Sequence, residues 1–189
     1  LSAFRSYQRD SAWTWEHQAL VRARFVAGDP AVASSVMALR EEILRQPRDE
    51  AALAREVHAM REKMRAHLRA EEKVQDGEFH LKQGVGGIVD IEFMVQYAVL
   101  AWSHRVPELT RWSDNVRILE TLGREGLFAQ RECDALKQAY LAYRSAAHQL
   151  SLQQQPGIVP EGGFVAAREA VSTKWQQLFA PVINDKTEK

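Results

Sequence analysis

The chain has 189 residues and a mass of 21.5 kDa, enough for folding to bury roughly 70% of the surface the unfolded chain exposes, so it needs no disulfide or metal staple. Its 25 basic and 25 acidic residues balance to zero, which removes the general electrostatic pull expected of a nucleic-acid or anionic-membrane binder. Cys133 is the only cysteine and has no partner for an internal disulfide, and no apolar run is long enough to span a bilayer, so the sequence predicts a cytoplasmic protein with no nucleic acid and no membrane among its partners.

Position 1 is Leu and nothing near it reads as a signal sequence, so the chain is expected to be a piece of a longer protein. In the first segment, Ser2 to Ala27, Asp10 or Ser11 is a candidate cap for a helix carrying Trp13, Leu20, Val21 and Arg24 round to Phe25, closed by Gly28. Asp29 and Pro30 place a cap and a first-turn proline side by side, and Val32, Val36, Leu39 and Ile43 continue a helix to Gln46. Pro47 breaks it. Asp49 then caps a third helix whose apolar stripe is Leu53, Val57, Met60, Met64 and Leu68 and whose other face stacks Arg61, Arg65 and Arg69. The charged, glycine-containing stretch from Glu71 to Glu78 is the candidate linker.

From Phe79 the period changes abruptly. Residues 79–83 alternate like a short strand, Gly84, Gly86 and Gly87 make a turn, and an apolar helix follows with Ile88, Ile91, Val95, Ala98, Val99 and Trp102 on its stripe. Asp90 falls in the first turn, where a carboxylate suits the positive end of the helix dipole, and Glu92 points roughly 200° away from it. Beyond Pro107, Ser113 is a candidate cap for a helix bearing Val116, Leu119 and Leu122, with Gly123 and Gly126 at its end. A long helix from Gln130 to Gln154 carries Cys133, Leu136, Tyr140, Tyr143, Ala147 and Leu150; a loop from Pro156 to Gly163 precedes a last helix, Phe164 to Phe179, bearing Val171, Trp175 and Leu178. The fold class is therefore all-α, a bundle of about six or seven helices with at most one short strand segment. Residues 1–28 read as a connecting helix, 29–189 as the bundle, with a possible sub-boundary at 71–78.

The glycine stretch matches neither phosphate-loop pattern, GxxxxGK[ST] or GxGxxG, and reads first as a tight turn into a buried helix. Its functional alternative is an anion site in which bare amides at Gly86 and Gly87 open the helix, Lys82 adds charge and Asp90 orients the turn. The arginine row, Arg61 and Arg65 above all, reads either as a solvated face braced by Glu62 or as a dock for phosphate or an acidic partner. Five tryptophans, Trp13, Trp15, Trp102, Trp112 and Trp175, read as core. The six histidines show neither HExxH nor zinc-ligand spacing, and the ExxH pair of a carboxylate-bridged metal bundle is missing, so no metal site is assigned.

Four blocks in order carry a resemblance: Ala12 to Arg24 (AWTWEHQALVRAR), Met60 to Arg65 (MREKMR), Gly86 to Phe93 (GGIVDIEF) and Leu109 to Asn115 (LTRWSDN). Together they resemble the C-terminal part of the bacterial glutamine synthetase adenylyltransferase family, over nearly the whole chain. The resemblance implies a parent enzyme with two nucleotidyltransferase halves. One transfers AMP from ATP to a tyrosine of glutamine synthetase, and the other removes it by phosphorolysis, with Mg²⁺ held by a GSxDxD signature and a further Asp. Neither acidic motif occurs in these 189 residues, so no catalytic residue is assigned and neither ATP nor Mg²⁺ is expected on the chain itself. The implied partners are glutamine synthetase, an upstream nucleotidyltransferase palm of the same polypeptide, and the PII signalling protein. Two roles follow from the resemblance: a helical domain supporting substrate docking or closure over the nucleotide, or a regulatory domain sensing PII or glutamine.

Overall fold

The computed structural model describes residues 1–71 and 74–184, with side chains described for 1–67 and 74–181. Leu68 and Arg69, expected on the stripe and the basic face of the third helix, lie outside the described side chains, as does the end of the chain. Among the described residues eight α-helices dominate: α1 (Ser2–Asp10), α2 (Thr14–Arg22), α3 (Pro30–Leu44), α4 (Glu50–Glu71), α5 (Ile88–Trp102), α6 (Asn115–Arg124), α7 (Gln130–Leu152) and α8 (Val165–Asn184). Two short strands, β1 (Glu78–His80) and β2 (Ile158–Pro160), and 3₁₀ turns at Pro107–Thr110 and Glu161–Phe164 are the other elements among the described residues. The all-α expectation holds.

The centre is α5. Eleven of its 15 residues are buried, from Ile88 to Ala101, because the sequence is apolar nearly all round and leaves no face that prefers water. Helices α2, α4, α6, α7 and α8 surround it. Tyr97 and Phe179 meet edge to face at 5.2 Å between ring centroids, Trp102 and Phe128 at 5.9 Å, and Trp175 lies 4.4 Å from Phe179, geometries that suit the aromatic quadrupole. Asp29 caps α3 through the Ala31 amide at 2.7 Å with Pro30 in the first turn, and Asp49 accepts the Ala51 and Ala52 amides at 2.9 and 3.0 Å ahead of α4.

Several boundaries differ from the sequence expectation. The first segment is two helices: Asp10 ends α1, and Glu16 accepts the Trp13 amide at 2.8 Å, so α2 starts at Thr14 and Trp13 is its extended cap at φ −86°, ψ 159°. Helix α2 stops at Arg22, ahead of Gly28. Trp13 and Trp15 are consequently exposed and not core, whereas Trp175 is buried and Trp102 and Trp112 pack against the core. Likewise Val32 and Val36 on α3 and Met64 on α4 face outward. Asp114, not Ser113, caps α6, accepting the Arg117 amide at 3.0 Å. The strand segment covers 78–80, and its partner β2 lies in the stretch read as a loop; the two pair antiparallel with Phe79 opposite Val159. A three-residue ladder closed by a distant segment leaves too little alternation for a sequence pattern to show.

One buried arginine, Arg40, and one half-buried, Arg48, hold helix ends. Arg40 donates to the carbonyls of Leu20 at 2.8 Å, Thr110 at 2.6 Å and Val21 at 2.7 Å, joining α3 to the end of α2 and to the turn before α6. Arg48 donates to Ile43, Leu44 and Gln46 at the end of α3 and to Leu100 of α5, and burial pulls its pKa down to about 10.

Two histidines, His17 and His58, are half-buried. His17 Nε2 donates to the Gln8 carbonyl at 2.9 Å, and the His58 ring lies 6.1 Å from Trp175 and 6.3 Å from Phe179. Burial lowers both below the ordinary value of 6.5. A histidine with a lowered folded-state pKa contributes its stability fully above the unfolded value and loses it as pH falls through the folded value. Thermal melts should therefore be flat near pH 7.5 and drop as pH falls below 6.5. His58→Gln should make that acid limb shallower; an unchanged limb would remove His58 from the account.

Candidate functional site

The glycine turn is fixed from below by an ion pair. Arg61, on α4, and Asp90, in the first turn of α5, meet at 2.7 Å between Nε and Oδ1 with side chains 0% and 1% exposed. Arg61 also donates from Nη1 to Gln83 Oε1 at 3.3 Å and from Nη2 to the Gln83 carbonyl at 2.8 Å. The second carboxylate oxygen of Asp90 accepts from Arg65 Nη2 at 2.5 Å and from the Gly86 amide at 2.8 Å. Arg65 in turn pairs with Glu62 and lies 5.3 Å from the Trp175 ring centroid. Desolvation of a buried pair is offset only when the geometry is close and the remaining donors are satisfied, and here Nε, Nη1 and Nη2 of Arg61 each have an acceptor.

The arginine row is thus not a solvated face at Arg61. One helical face points into the bundle, and Arg61 uses its full length to reach across to α5. The expectation of bare amides is corrected as well. Gly86, Gly87, Ile88 and Val89 donate to Asp90, Gly84, Leu81 and Lys82 respectively, so these four groups at the helix start are satisfied within the chain. Gly86 has φ +80°, and a Cβ there would lie 2.8 Å from the Arg168 carbonyl oxygen; one on Gly87 would lie 2.7 Å from that of Leu81. The turn needs glycine for close backbone approach. Of the six residues singled out from the sequence, Arg61, Arg65, Asp90 and Gly86 touch one another, Gly87 closes the turn by its backbone, and Lys82 alone has an exposed side chain.

Cavities of about 380 Å³ and 500 Å³ flank this clamp, both walled by Arg65 and Val85; the first adds His58, Ser172 and Gln176, the second His80, Gln83 and Arg168. On the opposite side of α5, Glu92 gathers a second polar cluster. Its Oε1 accepts from Arg22 of α2 at 3.1 Å, Tyr140 of α7 at 3.3 Å and Asn115 of α6 at 3.4 Å. Arg144 donates to the Tyr140 hydroxyl at 3.2 Å. Glu92 was the one sequence signal for this cluster, pointing away from Asp90, but its partners come from three other helices. Among the described residues no group of three or more His, Cys, Asp or Glu side chains converges to hold a metal ion, and no helix is long and apolar enough to cross a membrane.

The site is thus an all-α body in which Arg61 and Arg65 of α4 clamp a buried carboxylate at the start of α5. A family model described as GlnD PII-uridylyltransferase matches residues 58–156, more than half of the chain, and the chain belongs to that family. A second model, described as Glutamate-ammonia ligase adenylyltransferase, matches residues 1–39. Over all 189 residues the chain is 51% identical to the bifunctional glutamine synthetase adenylyltransferase/adenylyl-removing enzyme of Nitrosococcus oceani, of which it spans 19%. The resemblance drawn from the four sequence blocks is confirmed by that match.

Removing one partner of a buried pair leaves the other charge uncompensated. Asp90→Ala should therefore lower unfolding free energy by about 3–5 kcal/mol, whereas Lys82→Ala should stay within about 0.5 kcal/mol. Urea titration of both variants checks this, and equal midpoints would show that the clamp contributes nothing. Gly87→Ala should also destabilise, through its collision with the Leu81 carbonyl.

Proposed function

We propose that this chain is the helical part of an enzyme that transfers AMP from ATP to a tyrosine of glutamine synthetase, and that it supports substrate docking or closure over the nucleotide without supplying the catalytic carboxylates. The observation that carries this reading is identity of 51% sustained along all 189 residues to a bifunctional adenylyltransferase/adenylyl-removing enzyme. Two-metal phosphoryl transfer needs carboxylates converging on ions about 4 Å apart, and this reading assigns that part to another region of the polypeptide. ATP and Mg²⁺ would be held by the nucleotidyltransferase palm elsewhere in the same polypeptide. In this reading residues 1–28 connect to that palm and 29–189 form the helical domain, with 71–78 as a sub-boundary. Arg61, Arg65, Asp90, Gly86 and Gly87 position the start of α5, and Lys82, exposed beside the turn, is the side chain free to meet an acidic partner surface.

A second reading has an observation of its own. Residues 58–156 match a family named for PII uridylylation, which supports a regulatory domain that senses PII or glutamine. Incubation of the 189-residue chain with glutamine synthetase, ATP and Mg²⁺ should give no AMP incorporation above a control without enzyme; incorporation would overturn the supporting role. Calorimetric titration with PII separates the two readings, heat of binding favouring the regulatory one. In an active full-length enzyme, Lys82→Ala should raise the KM for glutamine synthetase with kcat and melting temperature little changed, as expected for lost uniform binding by an exposed charge.

A further inference from the structure

Fifteen large hydrophobic side chains are exposed among the described residues, and nine of them, from Leu1 to Val36, fall within residues 1–39. That stretch is about a fifth of the chain, so the excess is local. Trp13 is 71% exposed, Trp15 54% and Val26 81%. Exposed apolar surface concentrated in one stretch marks an interaction site, and aromatic residues are the ones enriched in interface cores. Two separate grooves are lined by this stretch. One, of about 700 Å³, lies between Trp13 and Trp15 and the Ala59, Met60 and Lys63 side of α4; the other, of about 410 Å³, is lined by Phe4, Phe25, Val32 and Val36.

Helix α1 sharpens the point. It has nine residues, of which only Gln8 is buried, and Phe4 and Tyr7 face outward. Helices shorter than about 12–15 residues are marginal without tertiary packing. What ties α1 to α3 is the pairing of Arg5 and Arg9 with Glu42, exposed ion pairs of a kind that contribute little. The ties of α1 to α2 are two hydrogen bonds, from Tyr7 to Glu16 at 2.7 Å and from His17 to the Gln8 carbonyl at 2.9 Å, so polar contacts, with little apolar burial, hold this aromatic helix in place.

We propose that this face is an intramolecular docking surface, covered in the longer protein by the remainder of the adenylyltransferase domain to which residues 1–39 belong. The choice of occupant rests on the reading above that the chain is part of a longer enzyme. Two observations support it. The apolar excess coincides with the 39 residues matched by the adenylyltransferase model, and the other family model begins only at residue 58. The similar Nitrosococcus oceani protein devotes more than four-fifths of its length to sequence outside the matched stretch, ample chain to cover the face. The rim carries Asp10, Glu56 and Lys63, a mixed set without the single-sign field that steers a transient charged partner, which fits a permanent, core-like contact.

Hydroxyl-radical footprinting of the full-length protein beside the 189-residue chain tests this. Trp13, Trp15 and Phe25 should oxidise severalfold more slowly in the full-length protein, while Leu141 and Leu152, exposed elsewhere, react equally in both. Equal oxidation of the aromatic residues would overturn the proposal. So would protection that appears in the 189-residue chain alone as its concentration rises, which assigns the face to a second copy, or protection that requires added glutamine synthetase, which assigns it to a separate partner. The readout does not depend on AMP transfer, so it can fail where the proposed function stands. Trp13→Ser combined with Trp15→Ser should leave the melting temperature of the 189-residue chain within a degree or two, as exposed sites do, and lower that of the full-length protein. A matching drop in the short chain would make the pair structural and overturn the proposal.

Discussion

The buried contact between Arg61 and Asp90 is the constraint on which the centre of the structure depends. Helix α5 is too apolar to be fixed in rotation by hydrophobic burial alone, since most of its faces are equally content inside. A carboxylate at position 90 breaks that degeneracy. It must face Arg61 and Arg65, and once it does, the helix has one azimuth and the Gly86 amide has its acceptor. Buried pairs add little net stability against an apolar substitute, yet they strongly penalise every arrangement in which one charge is left alone. Here that penalty selects the register of α5 against α4.

The same rotation decides where Glu92 goes. Two steps along the helix it points to the opposite side, where Arg22, Asn115 and Tyr140 converge on a single oxygen. The first two turns of α5 thus tie together α4 on one flank and α2, α6 and α7 on the other. Three of the four sequence blocks that carry the family resemblance supply Arg22, Glu92 and Asn115, and the remaining block supplies Arg61 and Arg65. The geometry links the blocks: Arg61 and Arg65 of one meet Asp90 of another, and Arg22 and Asn115 of the remaining two meet Glu92.

How much of this was legible in the sequence depends on the range of the interaction. Caps at Asp29 and Asp49, the apolar stripe of α5 and the long helix from Gln130 are local, and they stand where periodicity puts them. The errors are of two sorts. Competition among neighbours was misjudged at Trp13, where Glu16 three residues on outweighed Asp10 and Ser11 as the start of α2, and at Ser113, where Asp114 took the cap. Long-range partners were invisible at Arg61, Arg40 and β1, whose acceptors or strand partner lie 29, 70 and about 80 residues away in sequence. A charged residue at a core-facing helical position looks like part of a solvated face until the carboxylate it meets is known. Arg40, set among Leu39, Ile43 and Leu44, carried the clearest hint, since an arginine inside an apolar stripe needs acceptors that helix ends alone provide in quantity.

The contrast between the two ends of the chain follows from the same physics. Around α5 nearly every apolar side chain is covered, and Asp90 in its first turn is paired with Arg61 and Arg65. Around α1 and α2 the inward side is equally well made, with Val21 fully buried and Arg40 holding the Leu20 and Val21 carbonyls, while the outward side presents tryptophan where a solvated surface would carry lysine or glutamate. The sequence itself distinguishes these faces: α2 places Gln18 and Val21 toward the bundle and Trp15 away from it, a pattern that burial on one side does not require. Apolar groups on both sides of a helix suit a place between two layers, which is the arrangement the proposed docking of this face requires.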